Sequence, residues 1–252
     1  MLQVSFLEGK SDMRLDKFLA HTGFGTRKET KDLLKKKAVE VNGVCVKDGK
    51  FQVKPFVDQV AVYGEVVAYQ EFIYLMLHKP QGVVSATIDN VNPTVIDLLT
   101  PAEQNFEPFP VGRLDKDTEG LLILTNDGVL AHELLSPKKH VAKRYEATIE
   151  GIVTQEDSDA FKKGVVLSDG YQCQAAELEI VSVMPDEGTS SIFVTIHEGK
   201  FHQVKRMFEA CGKKVVYLKR VAMGLLELDP TLPLGNYRPL TQEELNLLKG
   251  ID

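Results

Sequence analysis

Gly112-Arg113-Leu114-Asp115-Lys116-Asp117-Thr118-Glu119-Gly120 runs without a break into Leu121-Leu122-Ile123-Leu124-Thr125-Asn126-Asp127-Gly128. The first half is polar and punctuated by glycine, as turns are; the second opens on an apolar run with the composition of a buried strand. An exposed turn anchored on a buried strand is how folds hold a reactive side chain against a rigid support. By spacing alone, Asp115, Asp117 and Glu119 read first as a solvated acidic loop, because loops of this composition are common. Asn126-Asp127-Gly128 then leads into an amphipathic helix pattern.

Upstream of this segment, Phe72-Ile73-Tyr74-Leu75-Met76-Leu77 predicts a second buried strand, stopping at the turn signal His78-Lys79-Pro80-Gln81-Gly82. Downstream, Tyr145 to Ile149 and Ile192 to Ile196 alternate in the manner of half-buried strands. A helix after Lys200 places Val204, Met207, Phe208 and Cys211 on one apolar stripe and leaves Lys205 and Arg206 off it. Strands and helices interleave without a βαβ period, so the expected class is α+β with a mixed, largely antiparallel sheet.

The N-terminal part reads differently. Residues 14–54 hold nine Lys and two Arg against three Asp and two Glu, a net +6 within a chain of net −6. Such asymmetry marks an appended basic module. Leu15, Phe18 and Leu19 predict a first helix that ends near Gly23 and Gly25. Thr26 with Glu29 forms a capping-box pattern for a second, about Arg27 to Lys37, with Arg27, Lys28, Lys31 and Lys35 near one face. Val39 to Val46, split by Asn42-Gly43, predicts a hairpin. A run from Val57 to Val62 closes the module as its last strand. The domains are thus expected at 1–66, with a core at 13–60, and at 71–252.

Composition narrows the rest. In 252 residues, hydrophobic and charged fractions of 43% and 26% are those of a folded globular protein. No secretory signal pattern and no apolar stretch of about 18 residues is present, so no membrane partner is expected. Three unpaired cysteines, Cys45, Cys173 and Cys211, argue against a disulfide framework and a thiolate metal site. A cytoplasmic setting is expected. The phosphate-loop, dinucleotide, nucleophile-elbow and zinc-helix motifs are all absent, and His197 and His202 are wrongly spaced for two ligands on one helix face. No metal and no small-molecule cofactor is expected. A second basic segment, residues 200–220, has five Lys and two Arg against one Glu and suggests a phosphate-gripping surface.

Two resemblances organise these observations. Met13-Arg14-Leu15-Asp16-Lys17-Phe18-Leu19, Thr26-Arg27 and the hairpin resemble the S4 RNA-binding domain, which implies that Arg14, Arg27, Lys28, Lys31 and Lys35 face the phosphates of structured RNA. Gly112-Arg113-Leu114-Asp115 with Thr118, Gly120 and the strand beyond resembles the catalytic segment of pseudouridine synthases. Leu77 to Gly82, Lys143-Arg144-Tyr145 and Glu198 to Met207 resemble the same family in the same order. With the S4-like module and the ending Asn236-Tyr237-Arg238-Pro239-Leu240-Thr241, the resemblance is closest to the RsuA-type enzymes of small-subunit ribosomal RNA. Arg14-Leu15-Asp16 repeats the catalytic tripeptide but lacks its glycine and strand context, so Asp16 reads as structural.

The resemblance implies conversion of a uridine to pseudouridine in small-subunit RNA; separately, a monomer is expected. The N-glycosidic bond breaks, the base turns, and carbon 5 joins the sugar. Asp115 would be the catalytic carboxylate, as nucleophile or in removing a ribose proton, with a cation holding it ionised. Lys205 is the matching position; its neighbour Arg206 could serve instead and is also a substrate-binding candidate. Tyr145 would pack on the flipped base, and Arg113 would fill the vacated space or contact the backbone. Lys79, His202 and Gln203 are further substrate-binding candidates. A related enzyme of large-subunit RNA and a non-catalytic S4 protein stay open.

Overall fold

The structure, a computed structural model, describes residues 12–26 and 28–250. Arg27, expected on the basic helix face, and nearly all of the segment ahead of the S4-like start lie outside the described residues. The chain forms two compact units: one runs up to Ile73 and takes in Leu99–Glu107, and the other comprises Tyr74–Leu98 and Pro108 onward.

In the first unit, strand β1 (Met13–Arg14) leads into helix α1 (Leu15–His21), and α2 (Thr30–Lys35) follows. Next come β2 (Val39–Val41), β3 (Val44–Cys45), β4 (Gln52–Val53), β5 (Val60–Val62) and β6 (Glu65–Val66). Helix α3 (Pro101–Gln104) also belongs here. The predicted hairpin is present: β2 pairs with β3, and Asn42 and Gly43 both have positive φ, 51° and 77°, as a type I′ turn needs. Strand β5 does not end the sheet, because β6 adds a further edge to the order β3-β2-β5-β6.

The second helix is shorter than its predicted span, although its capping box forms. Thr26 N–H donates to Glu29 at 2.7 Å, and Glu29 N–H donates to the Thr26 hydroxyl at 3.3 Å. Lys28, Lys31 and Lys35 are exposed, whereas Leu34 and Thr30 are buried. Leu15, Phe18, Leu19 and Leu34 close over Val39, Val41, Val53, Val60 and Val62 as this unit's core. Asp16 is 4% exposed and held by the Arg14 guanidinium, with Nε at 3.0 Å, which gives the repeated tripeptide a structural task.

The second unit is built on one mixed sheet. Its strands are β7 (Tyr74–Lys79), β8 (Phe109–Pro110), β9 (Glu119–Thr125), β10 (Lys143–Glu150), β11 (Glu177–Met184), β12 (Thr189–Ile196), β13 (Lys214–Met223), β14 (Leu226–Glu227) and β15 (Tyr237–Pro239). Helices α4 (Gly128–Leu135), α5 (Gln155–Lys163), α6 (Gln203–Ala210) and α7 (Gln242–Lys249) complete it. The main path is β11-β12-β10-β13-β9-β7-β15, and only β9 with β13 is a parallel pair, as the sequence predicted of a largely antiparallel sheet.

Burial follows the patterns that made the strands readable. Strand β12 alternates half-buried and buried residues along its whole length, and β9 is buried from Gly120 to Thr125 because both its faces are covered. Each of Leu121, Leu122, Ile123 and Leu124 is fully buried and contributes on the order of 1.5–3 kcal/mol. Strand β7 starts two residues later than predicted and continues through His78 and Lys79, part of the sequence's turn signal. Helix α6 turns Val204, Met207 and Phe208 inward, with Phe208 packed on Phe161 at 4.9 Å between ring centres. Among the described residues no helix is long and apolar enough to cross a membrane.

Candidate active site

The turn ahead of β9 is fixed by its neighbours' polar atoms. The Ser85 hydroxyl accepts from the Leu114 N–H at 3.0 Å and donates to the Leu114 carbonyl at 2.9 Å, holding both sides of that residue. Lys79, at the end of β7, donates to the carbonyls of Pro80, Asp115 and Thr118 at 2.9–3.0 Å. Leu114 is buried beneath the turn, and Asp115, one residue on, stands 26% exposed. The backbone is thereby pinned on both sides of a carboxylate that reaches solvent.

Asp115 faces the first turn of α6. Lys205 Nζ lies 3.3 Å from one carboxylate oxygen, and His202 Nε2 lies 3.6 Å from the other. The same ammonium is 2.6 Å from Asp117. Burial works against the charge on Lys205, but the hydrogen bond to Asp117 and the attraction of both carboxylates outweigh it and raise its pKa. Burial is the largest single influence on Asp117 and works to raise its pKa, but the hydrogen bond and charge of Lys205, with a backbone hydrogen bond and His202, together hold it below the usual carboxylate range. Asp117 is 68% exposed and its ion pair is screened by water, whereas Lys205 and Asp115 are more enclosed. His202 caps α6 with a left-handed φ of 50°, an uncommon state for a side chain of this size, and its ring stacks on Phe201.

Asp115, Tyr145, Lys205, His202 and Arg113 all line one cavity of about 1230 Å³, ample for a nucleotide. Tyr145 sits on β10, 7% exposed, with Arg220 of β13 as its cross-strand partner. Arg113 is exposed where it lines the cavity. The structure therefore gathers, around one space, five residues separated by up to 92 positions in the chain.

Other candidates are placed differently. Lys79 is fully buried, and its three carbonyl partners make it a brace for the turn rather than a group that meets a ligand. Burial pushes its ammonium down to about 8, against the pull of Asp115, Asp117 and Glu119. Gln203 is 4% exposed with both ends of its amide occupied: it donates to Glu198 at 2.7 Å and accepts from the Lys200 N–H at 2.8 Å. It locks the loop that carries His202. Arg206 is turned to Asp169, 2.6 Å away, and of the two neighbouring cations it is Lys205 that meets Asp115.

Most of the charge of the basic segment 200–220 is engaged within the protein, with Lys200 and Lys219 the exceptions among the described residues. Besides Lys205 and Arg206, Lys213 is paired with Asp157 and Lys214 with Glu150, while Arg220 is 2% exposed. Counting charge along the chain cannot show that partners from distant elements neutralise it. Thr118 and Lys143, both part of the quoted motifs, line the cavity too, as do Ser85 and Arg220, which nothing in their local sequence singles out. Among the described residues no cluster of His, Cys, Asp or Glu is suited to a metal.

Comparison with known proteins places this geometry in a family. The S4 domain matches residues 13–58, and the RNA pseudouridylate synthase family matches residues 73–210. An uncharacterized RNA pseudouridine synthase of Bacillus subtilis is 56% identical over 236 residues, spanning 94% of this chain and 98% of that one. The ribosomal small subunit pseudouridine synthase A of Vibrio cholerae is 40% identical, with 92% and 98% of the two chains covered. The ribosomal large subunit pseudouridine synthase B of Bacillus subtilis is 38% identical, with 94% and 96% covered. Matched through its synthase segment and aligned almost end to end with such relatives, the chain belongs to the RNA pseudouridine synthase family and carries an S4 domain ahead of the catalytic one.

Proposed function

We propose that this enzyme converts one uridine of small-subunit ribosomal RNA to pseudouridine, with Asp115 as the catalytic carboxylate, Lys205 as its counter-ion and Tyr145 as the surface on which the flipped base stacks. The observation that carries the reading is the 3.3 Å approach of Lys205 to Asp115 in the cavity that Tyr145 also lines. A carboxylate needed as nucleophile or base works only when ionised, and an enclosed ammonium at that distance favours the ionised form. The target base must leave its stack to enter, and Arg113, exposed along the cavity, is suited to the space left behind or to the backbone. Lys28, Lys31 and Lys35 of the S4 domain supply sequence-independent phosphate contacts.

The small-subunit assignment is supported by the relative from Vibrio cholerae, and the one from Bacillus subtilis named for the large subunit supplies the competing substrate. The test is tritium release from 5-labelled uridine in each ribosomal RNA, naked and as particles lacking the modification. Release from small-subunit RNA alone is the expected result; release from large-subunit RNA alone moves the substrate to the other particle. Release from neither, with RNA still bound, removes the catalytic reading.

A further inference from the structure

Beside Tyr145, the cavity wall holds charge that the catalytic pair does not use. Arg220 is 2% exposed, its Nε donates to the Leu121 carbonyl at 2.7 Å, and one terminal nitrogen of its guanidinium is buried without a hydrogen-bond partner. The Thr118 hydroxyl, 1% exposed, is unpartnered in the same way. Both residues line the cavity that holds Asp115. Lys143 lines it as well, and its Nζ reaches only the Val141 carbonyl, at 2.9 Å. Among the described residues neither Lys143 nor Arg220 has an ion-pair partner, in contrast to Lys205, Arg206, Lys213 and Lys214.

The sheet aims these groups at one place. Lys143 and Tyr145 are two apart on β10 and share a face. Arg220 is the cross-strand partner of Tyr145, and paired residues project to the same side. The register between β10 and β13 shifts at this point, so that Arg144 pairs with Ala222 and Tyr145 with Arg220, skipping Val221. Irregularities of this kind re-aim side chains beside active sites. Across β13, Arg220 meets Gly120 of β9, which brings it to the strand that begins just after Thr118. Native proteins leave few buried donors unpaired, and an orphaned guanidinium nitrogen on a side chain that lines a cavity calls for a ligand acceptor.

The structure assigns Arg220, with Thr118 beside it, to the oxygen atoms of the target uracil, as the site that holds the base once it is detached from the sugar. The assignment rests on the proposed function. When the C1′–N1 bond breaks, its electron pair leaves with N1 and is delocalised onto O2 and O4. After the ring turns, C5 uses that pair to bond C1′, the C5 proton is released, and N1 regains a proton, so the reaction is balanced without a co-reactant. Negative charge thus develops on the carbonyl oxygens only between the two steps. A fixed guanidinium in a water-poor wall, with the uncompensated Lys143 nearby, stabilises it at that stage and requires no rearrangement. A donor here also favours the O4 carbonyl of uracil over the amino group that cytosine carries at the same position. A backbone phosphate is the other acceptor of suitable charge, but the burial of Arg220 beside Tyr145 favours the flat base.

The test pairs protein and substrate changes. On an RNA that the wild type turns over in the tritium assay, Arg220→Met should slow single-turnover conversion by about 100-fold with RNA affinity unchanged within about twofold. Replacing the reacting uridine by 4-thiouridine or 2-thiouridine, which weakens one acceptor, should slow the wild type by about tenfold and leave Arg220→Met unaffected by at least one of the two, since that hydrogen bond is already gone. Arg220→Lys and Thr118→Val, which keep the charge and the volume respectively, carry the same comparison if the methionine variant does not fold; each should reduce the thio effect. Full activity in these variants, or a thio penalty as large as in the wild type, overturns the assignment. A loss of affinity with a shallower salt dependence puts Arg220 on a phosphate and also overturns it. Failure of the wild type on every RNA is a different result, since it removes the proposed function itself.

Discussion

Lys79 donates to the backbone carbonyl of Asp115 at 3.0 Å, and not to its carboxylate. The ammonium that the sequence placed among the substrate contacts instead holds the main chain of the turn that carries Asp115, together with the carbonyls of Pro80 and Thr118. The carboxylate is left for Lys205, on an element 90 residues further along the chain.

That brace has a pH signature. Burial lowers the Lys79 ammonium from 10.5 to about 8, so between those values the unfolded chain holds more protons than the folded one. Stability therefore rises with pH across that window, by up to roughly 3 kcal/mol relative to Lys79→Met. At pH 7 the same variant, which leaves buried carbonyls unsatisfied, should be less stable by about 2–4 kcal/mol. Urea unfolding of both proteins from pH 7 to 10 checks this, and a stability difference that does not vary with pH would count against the buried charge.

Asp115→Asn should reduce turnover by more than about 10⁴-fold while RNA affinity stays near wild type. Lys205→Met should reduce it by about 10²-fold, with partial recovery in Lys205→Arg. Asp16→Asn provides the control for the repeated tripeptide: stability falls by about 1–3 kcal/mol, and activity per folded molecule is retained. Tritium release alongside filter binding measures activity and affinity in all four, and urea unfolding measures the stability of Asp16→Asn.

Gly120 has φ 108°, and a Cβ built there would lie 2.2 Å from the Arg220 carbonyl oxygen and 2.6 Å from its backbone nitrogen. Gly120→Ala should destabilise the enzyme by about 3 kcal/mol or more, because the parallel strands β9 and β13 must separate or the backbone must strain. Thermal unfolding reads this directly, and an unchanged midpoint would mean that the strands move apart freely.

Lys28→Glu with Lys31→Glu should weaken RNA binding and flatten its salt dependence, by about 0.7–0.9 in the logarithmic slope for each phosphate that is no longer neutralised. Turnover at saturating RNA should be unaffected. A salt slope equal to that of the wild type would show that Lys28 and Lys31 do not meet RNA.

The hairpin at Asn42-Gly43, the capping box of Thr26 and Glu29, and the alternation of β10 and β12 were legible because each depends on backbone preferences or on a period set by neighbours in the chain. The same holds for the turn before β9, whose glycines and apolar run announce a loop on a buried strand. Helix α6 was readable from its apolar stripe, and the stripe also showed that Lys205 and Arg206 point elsewhere.

Which cation meets which carboxylate was not legible, since electrostatic pairing depends on distance in space. Lys205 finds Asp115 and Asp117, Arg206 finds Asp169, and Lys213 finds Asp157, so a segment that counts as +6 along the chain is largely neutralised by residues from other elements. Arg220 belongs to that count yet is buried at the crossing of β9, β13 and β10, where strand register, a skipped residue and a glycine with no side chain decide its direction. By itself the sequence determined the two kinds of module, several of the strands and helices of each, and the loop that carries Asp115, because local backbone preference and apolar period suffice for these. Only the tertiary structure decided which side chains line the cavity, which brace it from behind, and which buried donor is left unpaired, because those outcomes depend on desolvation and pairing between residues far apart in the chain.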